Sequence, residues 1–501
     1  MNEYDLAQPK RQSVLGVAVI FFKNLRTAIN VFISIIVMTF GLQFSFLGLS
    51  LKELGIIIVI LFLIISYLQY RRFFFYVMDD KFIIEKGLLS RDKITIPFDR
   101  IQTVNITQNL IQQILKVVAV KIDTAGSAQR ELEISALERN YARELQGFLI
   151  EKRKVAVTDE TLTEADAQPE DKPDHMSAVE PLVSLNMRQL LLVGLTENHL
   201  RTALVIFAVL NGYFWQYEEY LLKPLEPLIA EQANYLLARW LVLLPIGILI
   251  FLIIAIAISV VQVFLKYFNL RFFVDNRGVQ LTSGLLKRNE YQIPEKKIQY
   301  VKWNSNPLRG LLNIKTLLIK KAASEEVGDR QGIKIPGCHL DQINQVFDQF
   351  YPERTEGAFT WYRAHNLLFL QLGTWVGFLP AAAISGLSLI DWRLVFIGIL
   401  YLPLALFFIY RYFESVSMAI NREIVVLRKG WVYPSYQLFY LRKLQNVSLH
   451  QSIFQKRRGL ASLSFHTAAG AARMVHLPQQ EAQQIYDYAL YKIESYEGGW
   501  M

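Results

Sequence analysis

An ungapped internal repeat constrains this chain more than any other feature. Gly284 to Val301 reads GLLKRNEYQIPEKKIQYV, Gly87 to Val104 reads GLLSRDKITIPFDRIQTV, and Gly430 to Val447 reads GWVYPSYQLFYLRKLQNV. One offset of 197 residues carries both Gly87 to Gly284 and Ile101 to Ile298, and one of 146 carries both Gly284 to Gly430 and Ile298 to Leu444. Each copy holds a glycine, a β-type run, a basic residue and [Ile/Leu]-Gln-x-Val in register, so the fold is built from three versions of one unit. The register runs on downstream, where Val120–Ala125 falls on Leu317–Ala322 and on Leu463–Ala468. Upstream, Met78-Asp-Asp falls on Asp275-Asn-Arg and on Asn421-Arg-Glu, a polar turn after an aromatic strand. The predicted unit is strand, turn, strand ending at glycine, strand, Gln-x-Val segment, short helix and strand. A C-terminal helix follows, clearest at Leu137–Val155.

Three pairs of apolar runs precede the three units: Ala28–Leu49 and Leu54–Tyr70, Thr202–Tyr217 and Trp240–Leu265, and Leu367–Ile390 and Leu394–Tyr412. Most come near the ~20 residues that a helix needs to cross a bilayer, although Thr202–Tyr217 is short and Leu54–Tyr70 only just suffices. With 52% hydrophobic and 19% charged residues, the chain is too apolar for an ordinary soluble protein. Lys23, Arg26, Arg71, Arg72, Arg188, Arg201, Lys266, Arg271, Arg363 and Arg411 flank the ends that face the repeats, whereas Glu218–Arg239 is acidic on balance. The positive-inside rule then places all three units and both termini in the cytoplasm. Weaker amphipathic stretches before the hairpins, Ser13–Leu25, Ser184–Leu195 and Thr360–Asn366, are expected at the membrane interface. Thr158–Glu180 is acidic and almost without large apolar residues, and reads as a disordered linker. The expected domains are 1–70 (tail, amphipathic segment and first hairpin), 71–155 (first unit), 156–183 (linker), 184–266 (amphipathic segment and second hairpin), 267–353 (second unit), 354–412 (third hairpin) and 413–501 (third unit).

Paired membrane helices followed by G-[LW]-[LV] and basic-[IL]-Q-x-V resemble the bacterial membrane-flanked domain, one of the bacterial pleckstrin-homology-like (PH-like) families. The triple layout is similar to that of YdbT-like proteins. The resemblance covers nearly the whole chain except the acidic linker. It implies an α+β membrane protein: six transmembrane helices in three hairpins, each followed by a cytoplasmic PH-like domain. Each such domain is a bent antiparallel sheet closed by one C-terminal helix. The third copy departs from the pattern, with Trp431-Val-Tyr-Pro434 in place of Leu-Leu-[Ser/Lys]-Arg.

Catalytic signatures are absent from the sequence. No phosphate-binding loop, G-x-S-x-G or H-E-x-x-H occurs, and the seven histidines show no metal-ligand spacing. The single cysteine, Cys338, excludes an internal disulfide and fits a reducing compartment. Asp79-Asp80 reads as a turn, because its counterparts are Asn276-Arg277 and Arg422-Glu423. No Asp, Glu, Lys or Arg lies at the centre of an apolar run, where ion-coupled transporters place ionisable groups. No catalytic residue, cofactor or metal is therefore expected, and the net charge of +9 comes without a basic run or finger motif for nucleic acid. The repeated Gly87, Gly284, Gly430, Gln102, Gln299 and Gln445 are expected to be mainly structural. Arg100, Lys297 and Lys443 share one repeat position, with Lys296 and Arg442 beside two of them. They are expected to attract anionic lipid weakly and without headgroup preference. The expected function is non-enzymatic: an inner-membrane protein that binds, scaffolds or assembles, with the bilayer and a membrane protein or its own copies as partners. The alternative is a transporter or envelope-export component gated by the PH-like domains.

Overall fold

The structure, a computed structural model, describes residues 6, 8–25, 27, 30, 51–88, 90–124, 132–159, 180–222, 239–275, 278–322, 332–354, 358–386, 392 and 394–496. The first helix of the first hairpin, the linker beyond Asp159 and most of Glu218–Arg239 lie outside these residues. The chain divides into two compact units. The first holds the N-terminal repeat and residues 279–293; the second holds most of the remainder.

In the first repeat, β1 (Phe74–Met78), β2 (Lys81–Lys86) and β3 (Asp92–Pro97) form one antiparallel meander. Met78 faces Lys81 across a two-residue turn in which Asp79 and Asp80 both have φ near +50°. Short polar side chains tolerate that conformation, and its twist matches the flanking strands. A 3₁₀ turn, Phe98–Arg100, then reverses the chain into β4 (Ile101–Gln108), β5 (Val117–Thr124) and β6 (Leu132–Glu138). Helix Arg139–Asp159 closes the unit. Sequence periodicity places the start of this helix at Leu137 and leaves out β6. The strand continues to Glu138 because Leu132, Ile134, Ala136 and Leu137 bury themselves against the sheet. The core joins Phe75, Phe82, Phe98, Ile101, Val120 and Ile134 to the helix's Ala142, Leu145 and Leu149. Fully burying each large apolar side chain contributes about 1.5–3 kcal/mol.

The pattern recurs. The second repeat supplies β8 (Arg271–Asp275), β9 (Gly278–Ser283), β10 (Arg288–Pro294), β11 (Ile298–Asn304), β12 (Lys315–Lys321), β13 (Ile333–Cys338) and helix Leu340–Phe350. The third supplies β15 (Ser417–Ile420), β16 (Ile424–Lys429), β17 (Ser435–Tyr440), β18 (Leu444–His450), β19 (Leu460–Thr467), β20 (Gly470–Pro478) and helix Gln479–Glu494.

Each repeat also takes an edge partner from the segment that precedes its hairpin. Lys10 bridges Phe75, β7 (Val183–Ser184) pairs with Phe272 and Arg271, and β14 (Thr360–Arg363) pairs with β15 so that Tyr362 faces Met418. Phe75, Phe272 and Met418 are equivalent in the repeat, so the unit begins before the hairpin and encloses it. Thr360–Asn366, expected as an amphipathic stretch, is part of this edge. Its first four residues form a strand, held by the ladder to β15.

Among the described residues, three helices are long and apolar enough to cross a membrane: Val242–Tyr267, Leu367–Gly386 and Val395–Ser415. A fourth arises if Met187–Leu195 and His199–Tyr213, bent by 67°, act as one span. Among the described residues the six expected spans thus come to three, or four with the bent pair; Ala28–Leu49, apart from Asn30, lies outside those residues, and Gly55–Arg71 is a shorter apolar helix. In the third hairpin Gly377 lies against Leu402, Leu406 and Ile409, the small-residue contact that lets membrane helices approach. Gly373–Phe378 is π-helical, and the Tyr401 hydroxyl donates to the Val376 carbonyl within it at 2.6 Å.

Candidate functional site

The repeated glycines have one physical cause. Gly87, Gly284 and Gly430 adopt φ of +130°, +109° and +87°. A Cβ on any of them would collide with the carbonyl oxygen three residues on, at Ser90, Lys287 or Tyr433. In two repeats this turn lies against the membrane end of the preceding helix. Arg72 donates to the Leu88 carbonyl. Trp431 packs on Phe407 and Phe408 with ring centroids at 5.7 and 5.8 Å, and Arg411 lies 5.0 Å above it. The third-copy departure at Trp431 thus gives an aromatic contact to the membrane-leading helix.

The shared basic position is not a common cationic surface. Arg100 and Lys296 are exposed, but Lys297 is buried. Lys443 donates to the Ile298 carbonyl at 2.6 Å and the Glu295 carbonyl at 3.4 Å, and burial pushes its pKa down to about 8. Arg442 lies 4.1 Å from the Tyr440 ring and 3.5 Å from Glu353. In the third repeat these side chains also sit at the far end of β17 from the Trp431 turn. Six strand residues span roughly 20 Å. Lys297 is therefore corrected from a lipid contact to an internal side chain, while Arg442 and Lys443 are half-buried, one beside Glu353 and the other on main-chain carbonyls. The glutamine position divides too: Gln299 is buried and Gln445 exposed, and of Gln102 only the backbone is described.

A different repeat position faces the membrane-leading segments. Each short helix after the Gln-x-Val strand carries an N-cap side chain, Asn109, Asn306 or Ser452, which accepts from the backbone N–H three residues on. That third residue is Gln112, Arg309 or Gln455, and all three are buried. In the first repeat Gln112 Nε2 donates to the Ser135 carbonyl at 2.7 Å. There helix Gly16–Leu25 docks through Ser13 N to Ala136 O at 2.8 Å and Lys23 to Glu133 at 3.0 Å.

In the second repeat the same position reaches the bend between Met187–Leu195 and His199–Leu222. Arg309 donates to the Thr196 hydroxyl at 3.3 Å, the Thr316 hydroxyl at 2.6 Å and the Glu197 carboxylate. Asn306 Nδ2 donates to the Thr196 carbonyl at 2.7 Å, and Lys334 to Glu197 at 3.2 Å. Burial works against the Glu197 carboxylate, yet Lys334 and Arg309 outweigh it and hold its pKa below the ordinary value.

In the third repeat the link is neutral. Gln455 Nε2 donates to His476 Nδ1 at 2.9 Å, and His476 Nε2 donates to Gln371 Oε1 at 3.0 Å, on the helix Leu367–Leu372. Gln455 Oε1 is already committed to the Ser452 N–H at 2.9 Å, so the ring is held neutral. Burial, with Arg473 and His365 nearby, lowers its pKa. Sequence reasoning missed this position because Gln, Arg and Gln share no side-chain charge. The [Asn/Ser]-x-x-[Gln/Arg] capping pattern was the available signal.

Successive repeats also join by backbone. In the first unit β4 pairs with β10, Gln108 facing Arg288, Thr107 facing Asn289 and Ile106 facing Glu290. In the second unit β11 pairs with β17 over five rungs, from Tyr300–Phe439 to Asn304–Ser435, and Trp303 stacks on Tyr436 at 4.2 Å. A cleft of about 410 Å³ beside the first junction is lined by Gln108, Gln113, Lys116, Glu138, Arg139 and Asn140. Burial and the neighbouring Arg288 and Arg143 lower the Arg139 pKa. A cleft of about 360 Å³ at the second brings Lys296, Arg442 and Lys443 together with Tyr351, Tyr440 and Tyr496. Among the described residues no group of three metal-ligating side chains occurs.

The chain matches the family described as Bacterial PH domain three times, over residues 28–153, 233–354 and 368–493. Each match takes in one of the three repeats together with apolar sequence before it. A relative, the UPF0699 transmembrane protein YdbT of Bacillus subtilis (strain 168), is 26% identical over 410 residues, covering 80% of each chain.

Proposed function

The chain belongs to the bacterial PH domain family, and from that premise we propose that it is a non-enzymatic scaffold of the bacterial inner membrane, with both termini cytoplasmic. Its three PH-like domains act by binding and assembly. The observation that carries this reading is how the domains spend their edges and buried polar groups. β4 and β11 hold the next repeat, and Gln112, Arg309 and Gln455 lie where each domain meets its own membrane-leading segment. Such an arrangement ties each domain to its own membrane-leading segment, and each of the first two to a strand of the next repeat, which suits a platform better than a reaction chamber. The test is purification of the full chain in mild detergent with quantitative identification of bound protein and lipid. A protein or further copies of the chain at fixed stoichiometry is the expected result. Solute flux through proteoliposomes holding only this chain overturns it.

The transporter reading keeps one supporting feature. The π-helical Gly373–Phe378 begins two residues after Gln371, and such segments often mark functional positions. That reading requires flux that changes in Gln371→Ala.

A further inference from the structure

The two internal junctions are the same junction. A shift of 197 residues in the first strand and 146 in the second carries Ile106–Glu290 onto Trp303–Tyr436, and Thr107–Asn289 onto Asn304–Ser435. The same shift carries Gln108–Arg288 onto Ser305–Pro434, where Ser305 N donates to the Pro434 carbonyl at 3.0 Å. A slip of one residue would turn every side chain to the other face, so register shared to the residue marks a specified contact.

Each junction uses the fourth strand of one repeat and the third strand of the next. The contact is head-to-tail, and a head-to-tail series leaves one half unused at each end. Among the described residues those halves are β18 of the third repeat, which ends the sheet β18-β19-β20, and β3 of the first, which ends the sheet β1-β2-β3. β18, LQNVSLH, carries no Lys, Asp, Glu or Pro, the residues by which exposed edges are normally guarded.

We propose, building on the scaffold reading, that β18 of one chain pairs antiparallel with β3 of a second copy. Extending the internal register places Leu449 against Lys93, Ser448 against Ile94, Val447 against Thr95 and Asn446 against Ile96. The contact repeats an interface that the chain already builds twice, and successive copies form a row or a closed ring in the membrane plane.

The hydrogen bond between Ser305 and Pro434 fixes the alternation of rungs. Ser448 and Ile94 then form a non-hydrogen-bonded pair with Cα atoms about 4.5 Å apart, a separation that a disulfide spans. The experiment uses full-length chains in native membranes, with Cys338, the only cysteine, replaced by Ser. One copy carries one tag and Ser448→Cys, the other a second tag and Ile94→Cys. Mild oxidation is expected to yield a dimer containing both tags, far above the yield of Ser448→Cys with Thr95→Cys, whose side chains lie on opposite faces. Absence of that dimer, equal yield in the Thr95 pairing, or Ser448→Cys linking to itself or to another protein overturns the proposal. As a second measurement, Thr95→Pro removes an amide directed at the partner and is expected to lower the mass of the detergent-solubilised assembly. A folded Thr95→Pro chain of unchanged mass counts against the pairing. A monomer that still holds a distinct protein at fixed stoichiometry sinks the pairing of copies and spares the scaffold reading; a monomer that holds nothing sinks both.

Discussion

A glycine at φ +87° with a carbonyl where its Cβ would go leaves Gly430 no substitute. Gly430→Ala meets the left-handed penalty of about 1–2 kcal/mol and the collision with Tyr433 besides. It should lower the unfolding free energy of the solubilised chain by at least that amount. Gly310, in the helix Pro307–Leu311 with nothing near its missing Cβ, is the control, where alanine should gain up to about 1 kcal/mol. Thermal melts of the two variants compare them directly. Lys443 makes a second prediction at this scale. Burial lowers its pKa from 10.5 to about 8. Between those values the unfolded chain binds more protons than the folded one, so stability rises with pH across the window. Lys443→Met should remove that slope, read as unfolding midpoints of the two proteins from pH 8 upward. Parallel profiles would mean the lysine is not held as described.

At the scale of elements, the second repeat's grip on the bend at Thr196–Glu197 is the most charged of the three links. Arg309→Gln installs the residue that the other two repeats use and leaves Glu197 with Lys334 alone. The loss should be about 2 kcal/mol, and Arg309→Gln with Glu197→Gln together should cost less than the sum of the singles. Additive effects in that cycle would show that the pair is not coupled. The sequence made the glycine turns and Asp79-Asp80 legible because their chemistry is local and recurs three times. It did not show the edge pairings of Lys10, Val183 and Tyr362, which are one to four residues long and find their partners across a membrane hairpin. Nor did it show Arg309, whose partner Glu197 lies 112 residues away. The basic position misled for the opposite reason: Arg100, Lys297 and Lys443 align in sequence, yet Lys297 is buried and Lys443 is half-buried on main-chain carbonyls.

For the whole molecule, the strand junctions bear on how often the chain crosses the bilayer. β4 pairs with β10 and β11 with β17, and strands can pair only on one side of a membrane. Repeats joined in this way must be separated by an even number of crossings. Leu367–Gly386 and Val395–Ser415 satisfy this for the third hairpin. In the second, Val242–Tyr267 crosses alone unless the bent pair Met187–Leu195 and His199–Tyr213 supplies the return. We therefore expect that pair to reach the far side, with Met187–Leu195 along the interface and His199–Tyr213 entering the bilayer. A reporter inserted near Glu226 should then be active only when external. Reporters within 160–179 or after Met501 should be active only when cytoplasmic, the side that the flanking lysines and arginines select. A cytoplasmic signal near Glu226 would break the parity, and with it either the span or the strand pairing between the first two repeats.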